Sequence, residues 1–388
     1  MLLGNVTLVE NGEIANIATD GELITKVCPS SPASSGQLSL HFENAIAFPG
    51  LINSHDHLDF NLYPQLGDRF YSNYTQWGDY IHQNYKPEIQ KVLKIPTELR
   101  EHWGMIKNLL GGVTTVVNHG EPVKSKQRLI NVFEDYQFIH SVGFEKDWKL
   151  KLNNPLKRKL PVAIHVGEGK DTIAHTEISR LLKSNFLRKK LVGIHGVGMD
   201  ESQARAFEAL VWCPYSNYFL LDRTADVKAL KMQTNILFGT DSTLTGSWNI
   251  WDHIKMARET SLLNDEELYR SLTVNAANIW KLNNKGLTAG QNADIVIAKK
   301  KGTKASDAFF ALEPQDILLV VVKGNIVFFD EAIYPQLKGT DISRFEPINL
   351  DGTTKYIKDG VTELVNQIKF YYPEASIPFS TDQIAEHA

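Results

Sequence analysis

Two histidines separated by one residue end the first long apolar run of the sequence. This run reads GLINSHDH over residues 50–57, and residues two apart in a strand point to the same face of a sheet. Two further runs, PVAIH and ILFGTD, end at His165 and Asp241. Three neutral imidazoles and one carboxylate suit a borderline divalent ion such as Zn²⁺, or alternatively Fe²⁺ or Mn²⁺. We therefore predict one divalent metal ion, with zinc preferred, held by His55, His57, His165 and Asp241.

A metal ion of this kind would activate a water molecule. It lowers the pKa of a coordinated water from about 15.7 to roughly 7, so that hydroxide is available at neutral pH. Glu168 lies three residues past His165, and we expect it to take the proton of the water and deliver it to a leaving nitrogen atom. His195 ends the run VGIH, and we expect it to donate to, or polarise, the atom that is attacked.

Three more polar residues end apolar runs or follow them, and these are candidates for substrate contact. They are His119 in the segment VNHGE, His140 in FIHS and Asn217 in CPYSN. Packing at the rim of the sheet is the alternative role. The segment 68–85 is rich in Tyr, Trp and Asn, and it either covers the mouth of the site or forms a helix that buries its aromatic side chains.

The elements that must position these residues alternate along the middle of the chain. Apolar runs of strand length alternate with amphipathic stretches of helical period, which indicates right-handed β/α units and a parallel sheet. The runs lie at 49–57, 112–120, 137–143, 160–167, 191–196, 209–216 and 235–241. We predict an α/β fold with a (β/α)8 TIM barrel, in which the carboxyl ends of the strands converge on one face and bring distant residues to one ion.

The chain ends have a different pattern, with short β-rich runs and turns. We predict that residues 1–47 and 285–345 form one composite β-sandwich domain, that residues 48–284 form the barrel and that residues 346–388 form a helical tail. A Ser, Pro and Gly-rich loop is expected at 30–36. Only about 40 residues separate the second predicted strand from the fifth, so the third or fourth unit of the barrel is expected to be shortened.

The composition is that of a folded protein, and it argues against several partners. Of 388 residues, 43% are hydrophobic and 22% are charged, which is enough to bury a core. The net charge of −4 argues against nucleic acid as the main partner, because phosphate binding needs a cationic surface. Two cysteines cannot form a disulfide framework, so we expect a cytoplasmic location. No stretch approaches the roughly 20 apolar residues of a membrane span, so no membrane partner is expected.

Several of these segments resemble one family. The stretch FPGLINSHDH at 48–57 resembles the opening strand of the amidohydrolase superfamily, and GLTAGQNADIVI at 286–297 resembles the segment that returns to its β domain. CPYSN at 213–217 and GTDS at 239–242 resemble the seventh and eighth strand ends of its cytosine deaminase and chlorohydrolase-like branch. The resemblance extends from the amino terminus to about residue 330.

The resemblance implies roles for the residues named above. A single metal would be held by the four predicted ligands, with Glu168 as proton shuttle and His195 near the substrate, and Asp241 would also orient the hydroxide. In the binuclear branches a carboxylated lysine on the fourth strand bridges two metals, and no lysine stands at a convincing strand end in that part of the sequence. The resemblance also implies a homodimer or a larger homo-oligomer.

We interpret the chain as a metal-dependent hydrolase that acts on a non-peptide C–N bond of a small-molecule substrate. The preferred reaction is hydrolytic deamination of an aromatic or heterocyclic amine. Hydrolysis of a cyclic amide or imidazolone-like ring, and chlorohydrolase-type displacement, are the alternatives for an enzyme. A catalytically silent binding protein is the alternative of another class. It is disfavoured because all four ligands and the proposed shuttle are present.

Overall fold

The computed structural model describes residues 1–29 and 37–381. The loop predicted at 30–36 and the last seven residues of the predicted tail lie outside the described residues. In chain order, the strands are β1 (Leu2–Leu8), β2 (Ile14–Asp20), β3 (Leu23–Cys28), β4 (Ser39–His41), β5 (Ala45–Pro49), β6 (Leu51–Asp56), β7 (Val113–Asn118), β8 (Asn131–Phe133), β9 (Gln137–Ser141), β10 (Val162–Val166), β11 (Leu191–His195), β12 (Ala209–Trp212), β13 (Asn235–Phe238), β14 (Ile295–Lys299), β15 (Ile317–Val322), β16 (Asn325–Asp330), β17 (Phe345–Leu350) and β18 (Thr353–Lys358).

Helices connect most of these strands. In chain order, the α-helices are α1 (Tyr74–Asn84), α2 (Lys86–Leu93), α3 (Thr97–Leu110), α4 (Trp148–Leu152), α5 (Thr172–Ser184), α6 (Glu201–Ala204), α7 (Pro214–Leu221), α8 (Val227–Leu230), α9 (Ile250–Glu259), α10 (Asp265–Ser271), α11 (Val274–Trp280), α12 (Ala305–Phe310) and α13 (Val361–Tyr371). Short 3-10 helices lie at Leu58–Phe60, Pro155–Lys157, Pro314–Asp316 and Glu331–Gln336. Within the described ranges, no helix is both long enough and apolar enough to cross a membrane.

Two parallel sheets occupy the middle of the chain. Strands β6, β7 and β8 form one sheet, and β9 to β13 form another in the order β13-β12-β11-β10-β9. A parallel bridge between Asp56 and Asp241 links the end of β6 to the segment after β13. All seven apolar runs predicted as strands contain one of these parallel strands. The α/β class with parallel strands is therefore confirmed, and closure of the two sheets into one barrel stays a prediction.

The third β/α unit lacks its helix. Residues 134–136 connect β8 directly to β9, and the helix after β9, α4, has only five residues. The hydroxyl of buried Tyr136 donates to the carbonyl oxygen of Asn118, which holds this short connection against the end of β7. The sequence predicts a shortened third or fourth unit, but it does not predict β8, because a strand of three residues has no visible periodicity.

Both chain ends contribute to one ten-stranded sheet. Its order is β17-β18-β16-β15-β14-β5-β1-β2-β3, and β4 pairs with β1. Strand β5 pairs in parallel with β1 and antiparallel with β14, so it joins the amino-terminal strands to the carboxyl-terminal ones. A sheet built from both ends is thus present. Its arrangement as a sandwich and the exact domain boundaries stay predictions.

The segment after residue 345 differs from the helical tail predicted at 346–388. Its first part forms a hairpin of β17 and β18, which extends the ten-stranded sheet, and only α13 is helical. The turn contains Asp351 and Gly352, which have positive φ angles of 49° and 75°. An Asp-Gly pair between two strands is a strong hairpin signal, since both positions of this turn need positive φ. The helical prediction is therefore wrong for the hairpin and correct for α13.

Helix α3 approaches the end of β6 at a point that has no room for a side chain. A Cβ atom added at Gly104 would lie 2.2 Å from the carbonyl oxygen of Leu58 in the 3-10 helix that follows β6. Only glycine permits this distance. The next turn of α3 therefore carries Lys107 and Asn108 to the side chain of Asp56.

Candidate metal centre and active site

Four donor atoms from three strand ends meet in the interior. The Nε2 atom of His55 lies 3.2 Å from His165 Nε2 and 3.5 Å from Asp241 Oδ1. The Nε2 atom of His57 lies 3.4 Å from His165 Nε2 and 3.6 Å from the same oxygen of Asp241. All four side chains are buried. The structure thus brings together the four residues that the sequence predicts as metal ligands.

The chemistry of these donors fits a metal ion. His165 donates its Nδ1 proton to the carbonyl oxygen of His140 at 2.8 Å, which leaves a lone pair on Nε2. Lone pairs on ring nitrogens 3.2–3.4 Å apart repel each other unless a proton or a cation lies between them. Metal bonds of about 2.0–2.2 Å would separate the donor atoms of a tetrahedral site by roughly 3.4 Å. The observed separations match that spacing.

The backbone at the strand ends leaves room for this cluster. A Cβ atom added at Gly239 would lie 2.7 Å from the Cβ atom of His55, so glycine is required beside that ligand. His195 and Asp241 both have positive φ angles, 71° and 60°. Positive φ is uncommon for residues other than glycine, and such strained positions concentrate at functional sites.

The carboxylate of Asp241 is oriented by two hydroxyl groups. Ser216 Oγ and Thr245 Oγ1 each donate to Asp241 Oδ2 at 2.7 Å, which leaves Oδ1 directed at the histidines. Burial alone would raise the pKa of Asp241, but its hydrogen bond with His55 and the nearby imidazoles hold that pKa well below its usual range. The group is therefore an anion that can bind a cation. The sequence does not predict that Ser216 and Thr245 orient Asp241, because a hydroxyl residue near a strand end has no distinctive pattern.

A buried polar network lies beneath the ligands. The side chain of Asp56, between the two ligands of β6, accepts hydrogen bonds from Lys107 Nζ and Asn108 Nδ2 at 2.9 Å each and from Asn61 Nδ2 at 2.7 Å. The side chains of Lys107 and Asp56 are 1% and 0% exposed, so this is a fully buried ion pair. The only feature of the sequence that indicates this ion pair is the carboxylate of Asp56 at the end of an apolar run. The network fixes β6 to α3 directly below the metal ligands.

Glu168 lies beside His195, with Oε1 of the carboxyl 3.6 Å from His195 Nε2. Burial raises the pKa of Glu168 well above its usual range, and the charges of Asp241 and Glu177 raise it further. The loop that carries Glu168 is anchored by Glu177, which accepts from the backbone N–H of Gly167 at 2.7 Å and from the hydroxyl of Tyr74 at 3.1 Å. The residue that the sequence predicts as proton shuttle therefore lies at the inner end of the site, beside His195, and its surroundings favour the protonated form of its carboxyl.

His195 is oriented from behind by an amide. Its Nδ1 atom lies 2.8 Å from Asn217 Oδ1, and Asn217 Nδ2 donates to Thr224 Oγ1 at 3.1 Å. Thr224 Oγ1 also accepts from Trp212 Nε1 at 2.7 Å. Burial lowers the pKa of His195 to about 4, so its ring is neutral at pH 7. The sequence predicts that Asn217 contacts the substrate. In the structure, Asn217 is fully buried behind His195 and does not line the cavity.

The other two candidates for substrate contact have different positions. His140 lines the cavity, and its carbonyl oxygen orients His165. His119 is buried behind the ligands, with its ring centre 4.3 Å from that of His165 and 5.0 Å from that of His55. Among the described residues, neither ring nitrogen of His119 has a hydrogen-bond partner. His140 is thus placed to contact a substrate, whereas His119 packs against the ligands.

A cavity of about 380 Å³ opens above these groups. Its inner end is formed by His57, His165, Glu168, His195 and Asp241. Its outer part is lined by apolar side chains, namely Phe60, Trp77, Ile81, Ile89, Phe144 and Leu244. The segment 68–85 supplies part of this wall as helix α1, so both alternatives considered for it are realised: it is a helix with partly buried aromatic residues, and it borders the mouth of the site.

Comparison with known proteins agrees with this arrangement. The profile of the Amidohydrolase family matches residues 149–327, which include His165, Glu168, His195 and Asp241. A curated relative, the 5-methylthioadenosine/S-adenosylhomocysteine deaminase of Caldicellulosiruptor saccharolyticus, is 23% identical over 393 residues, covering 85% of this chain and 90% of the relative. The resemblance to the amidohydrolase superfamily that the sequence indicates is thus confirmed.

Solved structures share the fold of this chain. An adenosine deaminase from Xanthomonas campestris with bound zinc superposes with a TM-score of 0.71 at 15% identity, covering 95% of this chain and 97% of the other. An atrazine chlorohydrolase from Arthrobacter aurescens TC1 complexed with zinc gives a TM-score of 0.65 at 16% identity, covering 84% and 94%. At these identities the likeness establishes the fold.

Proposed function

We propose that this protein is a metal-dependent hydrolase that removes the amino group of an aromatic or heterocyclic amine. The observation that carries the proposal is the position of Glu168 and His195, 3.6 Å apart at the inner end of a cavity that also contains His57, His165 and Asp241. The relative from Caldicellulosiruptor and the structural neighbour from Xanthomonas are both named as deaminases, which supports this reaction.

We assign one metal ion to His55, His57, His165 and Asp241. When bound, a divalent metal makes a water molecule nucleophilic at neutral pH by lowering its pKa. Zinc is the preferred metal because three neutral imidazoles and one carboxylate form a ligand set typical of it, and both structural neighbours described above contain zinc. Iron and manganese are the alternatives.

The residues of the chain then move protons. Water adds to the ring carbon that bears the amino group, and Glu168 accepts the proton that the water loses. The raised pKa of Glu168 keeps that proton on the carboxyl until it is given to the amino nitrogen. The C–N bond breaks, ammonia leaves, and the ring keeps the oxygen as a carbonyl or hydroxyl group. One water is consumed for each ammonia released.

His195 and Asp241 orient the reacting groups. Because the Nδ1 proton of His195 is used by Asn217, the neutral ring offers the lone pair of Nε2 to the cavity. We therefore assign His195 the role of hydrogen-bond acceptor, where the sequence alone suggests a donor or a polarising group. Asp241 is held by Ser216 and Thr245, so its Oδ1 atom keeps one direction throughout the reaction.

Closure of the barrel, the oligomeric state and the location of the protein are also proposed. We propose that the two parallel sheets close into one eight-stranded barrel, with the bridge between Asp56 and Asp241 at one seam and residues 134–136 at the other. A homodimer or larger oligomer in the cytoplasm is proposed from the sequence resemblance and from the low cysteine content. Size-exclusion chromatography with light scattering tests the oligomer.

Displacement of a halide is the second candidate, because the atrazine chlorohydrolase shares the fold. The two reactions release different products from the same kind of ring. The experiment is a panel of amino- and chloro-substituted purines, pyrimidines and triazines, and of cyclic amides, assayed with zinc-loaded protein for ammonia, chloride and ring opening. Ammonia release from amino-heterocycles is expected. Release of chloride alone, or ring opening alone, would replace deamination by the corresponding alternative.

A further inference from the structure

The outer part of the cavity presents carbon atoms to a ligand. Its wall is made by Phe60, Trp77, Ile81, Ile89, Phe144 and Leu244. Some of the polar side chains that line the cavity, which are Tyr63, Tyr74, Trp77, His82, His140, Ser242 and Thr245, are already hydrogen-bonded within the protein. Trp77 Nε1 donates to the carbonyl oxygen of Leu66 at 2.7 Å, and the hydroxyl of Tyr74 is shared between Gly143 and Glu177. A substituent in this part of the cavity would contact mainly carbon atoms.

Outside the predicted metal site, the described lining of the cavity has no lysine or arginine, and its only basic side chains there are the imidazoles of His82 and His140. Among the described residues that line it, none is Lys or Arg, and the sequence at 30–36 and 382–388 contains neither residue. Its two carboxyl groups, Glu168 and Asp241, are at the inner end. An anionic substituent would therefore exchange its hydration for a surface made mainly of carbon atoms, with no lysine or arginine to pair with and two carboxyl groups nearby. Burial of an unpaired charge in this way is strongly unfavourable.

The apolar wall is closely packed. A Cβ atom added at Gly78 would lie 2.6 Å from Phe144 Cζ, so α1 rests directly on that ring. Phe144 also packs edge-on against Tyr74, with ring centres 5.2 Å apart, yet 44% of its surface stays exposed. On the other side, Phe60 stacks on the ligand His57 with ring centres 5.1 Å apart. The carbon surface thus extends from a metal ligand to the mouth of the cavity.

We infer that the substrate is an amino-heterocycle that carries an uncharged, apolar substituent, and that relatives of it with an anionic substituent are excluded. This inference rests on the proposed deamination, because it places the ring at the metal centre and the substituent along α1. A cavity of about 380 Å³ is within the range of pockets that enclose a whole small ligand, so ring and substituent are both inside. Each CH₂ group buried against the wall is expected to tighten binding about fourfold.

The test uses matched pairs of ligands. A 6-aminopurine, a 4-aminopyrimidine and an amino-triazine are each prepared with a butyl and with a 3-carboxypropyl substituent. Their binding is measured by calorimetry to the zinc-loaded Glu168→Gln variant, and ammonia release is measured with the zinc-loaded native protein. We expect the butyl member of at least one pair to bind, and its carboxylate partner to bind at least about 100-fold more weakly.

The outcomes separate this inference from the proposed function. Equal binding within the pairs, tighter binding of a carboxylate member, or no binding of any butyl member would overturn the inference. A preference for the butyl member without ammonia release from any compound would instead contradict deamination and leave the inference standing.

A variant of the wall provides a second test. Ile89 of α2 lines the cavity, and Ile89→Arg would add the missing counter-charge, whereas Ile89→Met changes the shape without adding charge. We expect Ile89→Arg to reduce the butyl preference at least about tenfold and Ile89→Met to leave it within about threefold. An unchanged preference in Ile89→Arg, with the native fold confirmed by circular dichroism, would show that the charge of the wall does not select the substituent.

Discussion

The Nδ1 atom of His195 lies 2.8 Å from the side-chain oxygen of Asn217. An amide oxygen only accepts hydrogen bonds, so this contact keeps the proton of the neutral imidazole on Nδ1 and the lone pair on Nε2. The Asn217 amide is itself oriented by Thr224, which accepts from its Nδ2 atom. Two buried side chains, Asn217 and Thr224, therefore determine which hydrogen bond His195 can make in the cavity.

Replacing Asn217 by Leu is expected to reduce kcat about 10- to 100-fold with the metal content unchanged, because His195 then loses the partner that selects its tautomer. Steady-state kinetics and elemental analysis measure the two effects. The ¹⁵N shifts of labelled histidine report the tautomer directly. Thr224→Val is a milder control that keeps the amide. An unaltered kcat and an unaltered tautomer in Asn217→Leu would contradict the assignment.

Replacing Glu168 by Gln is expected to lower kcat by about 10²- to 10⁴-fold, since the amide cannot carry the proton from water to the leaving nitrogen. The metal content is expected to stay at the native level, because Glu168 lies beside His195 and outside the four proposed ligands. Near-normal turnover on the true substrate would rule out the shuttle role.

Replacing His165 by Ala is expected to weaken metal binding by more than the roughly 10- to 100-fold typical of outer-shell partners, because a donor atom is lost. The matched control is His140→Ala, which removes the ring that packs against His165 but keeps the main-chain oxygen that accepts from His165 Nδ1. Zinc titration monitored by the rise in Tm compares the variants, as ligand at about 100 times its Kd adds about 2.7 kcal/mol to the free energy of unfolding. Equal zinc affinity in the two variants would disprove ligation by His165.

We expect the buried ion pair of Lys107 and Asp56, below the four predicted metal ligands, to contribute strongly to the stability of the protein. Lys107→Met leaves the carboxylate of Asp56 without its cation, and the free energy of unfolding is expected to fall by about 3–5 kcal/mol. Urea unfolding of zinc-saturated protein measures it. The double variant Lys107→Met with Asp56→Asn removes both charges and is expected to regain most of the loss. A single variant as stable as the native protein would show that the pair is solvated.

We expect the folded protein to lose stability at acidic pH because of the buried residue His102 on α3. Burial lowers its pKa to about 4, partly offset by Asp359, whereas the unfolded chain titrates near 6.5. The unfolded state therefore binds more protons between these values, and stability is lost as the pH falls from about 6.5 to about 4. From pH 7.5 to 5, this residue is expected to account for about 2 kcal/mol, measured as the difference in urea stability between native protein and His102→Gln. The same loss in both proteins would exclude His102 as the cause.

Some parts of the site are predictable from sequence because strand geometry is local. The His55 and His57 pair, and the polar residues that end the runs of β10 and β13, follow from a two-residue period and from the convergence of parallel strands. The meeting of these four side chains and the α/β class could therefore be predicted from the sequence, and their role as metal ligands stays a prediction.

Other parts depend on contacts that no local pattern contains. His119 and His195 look alike in sequence, since each follows an apolar run and precedes a glycine. Only the fold separates them, because the ring of His195 reaches Glu168 and Asn217 whereas His119 packs behind the ligands. Lys107 is similar: it is a helical lysine in the sequence, and only the close approach at Gly104 reveals it as the partner of Asp56.

The bridge between Asp56 and Asp241 joins two places that are far apart in the order of synthesis. A ribosome that has released the first three donor residues still has more than seventy residues to add before Asp241 emerges. Until then the nascent chain has an imidazole cluster without its carboxylate, and the first parallel strand has no neighbour on that side. On the proposed ligand set, binding by all four donors therefore waits for Asp241, and a chain that ends before β13 lacks both that donor and the bridge to Asp56.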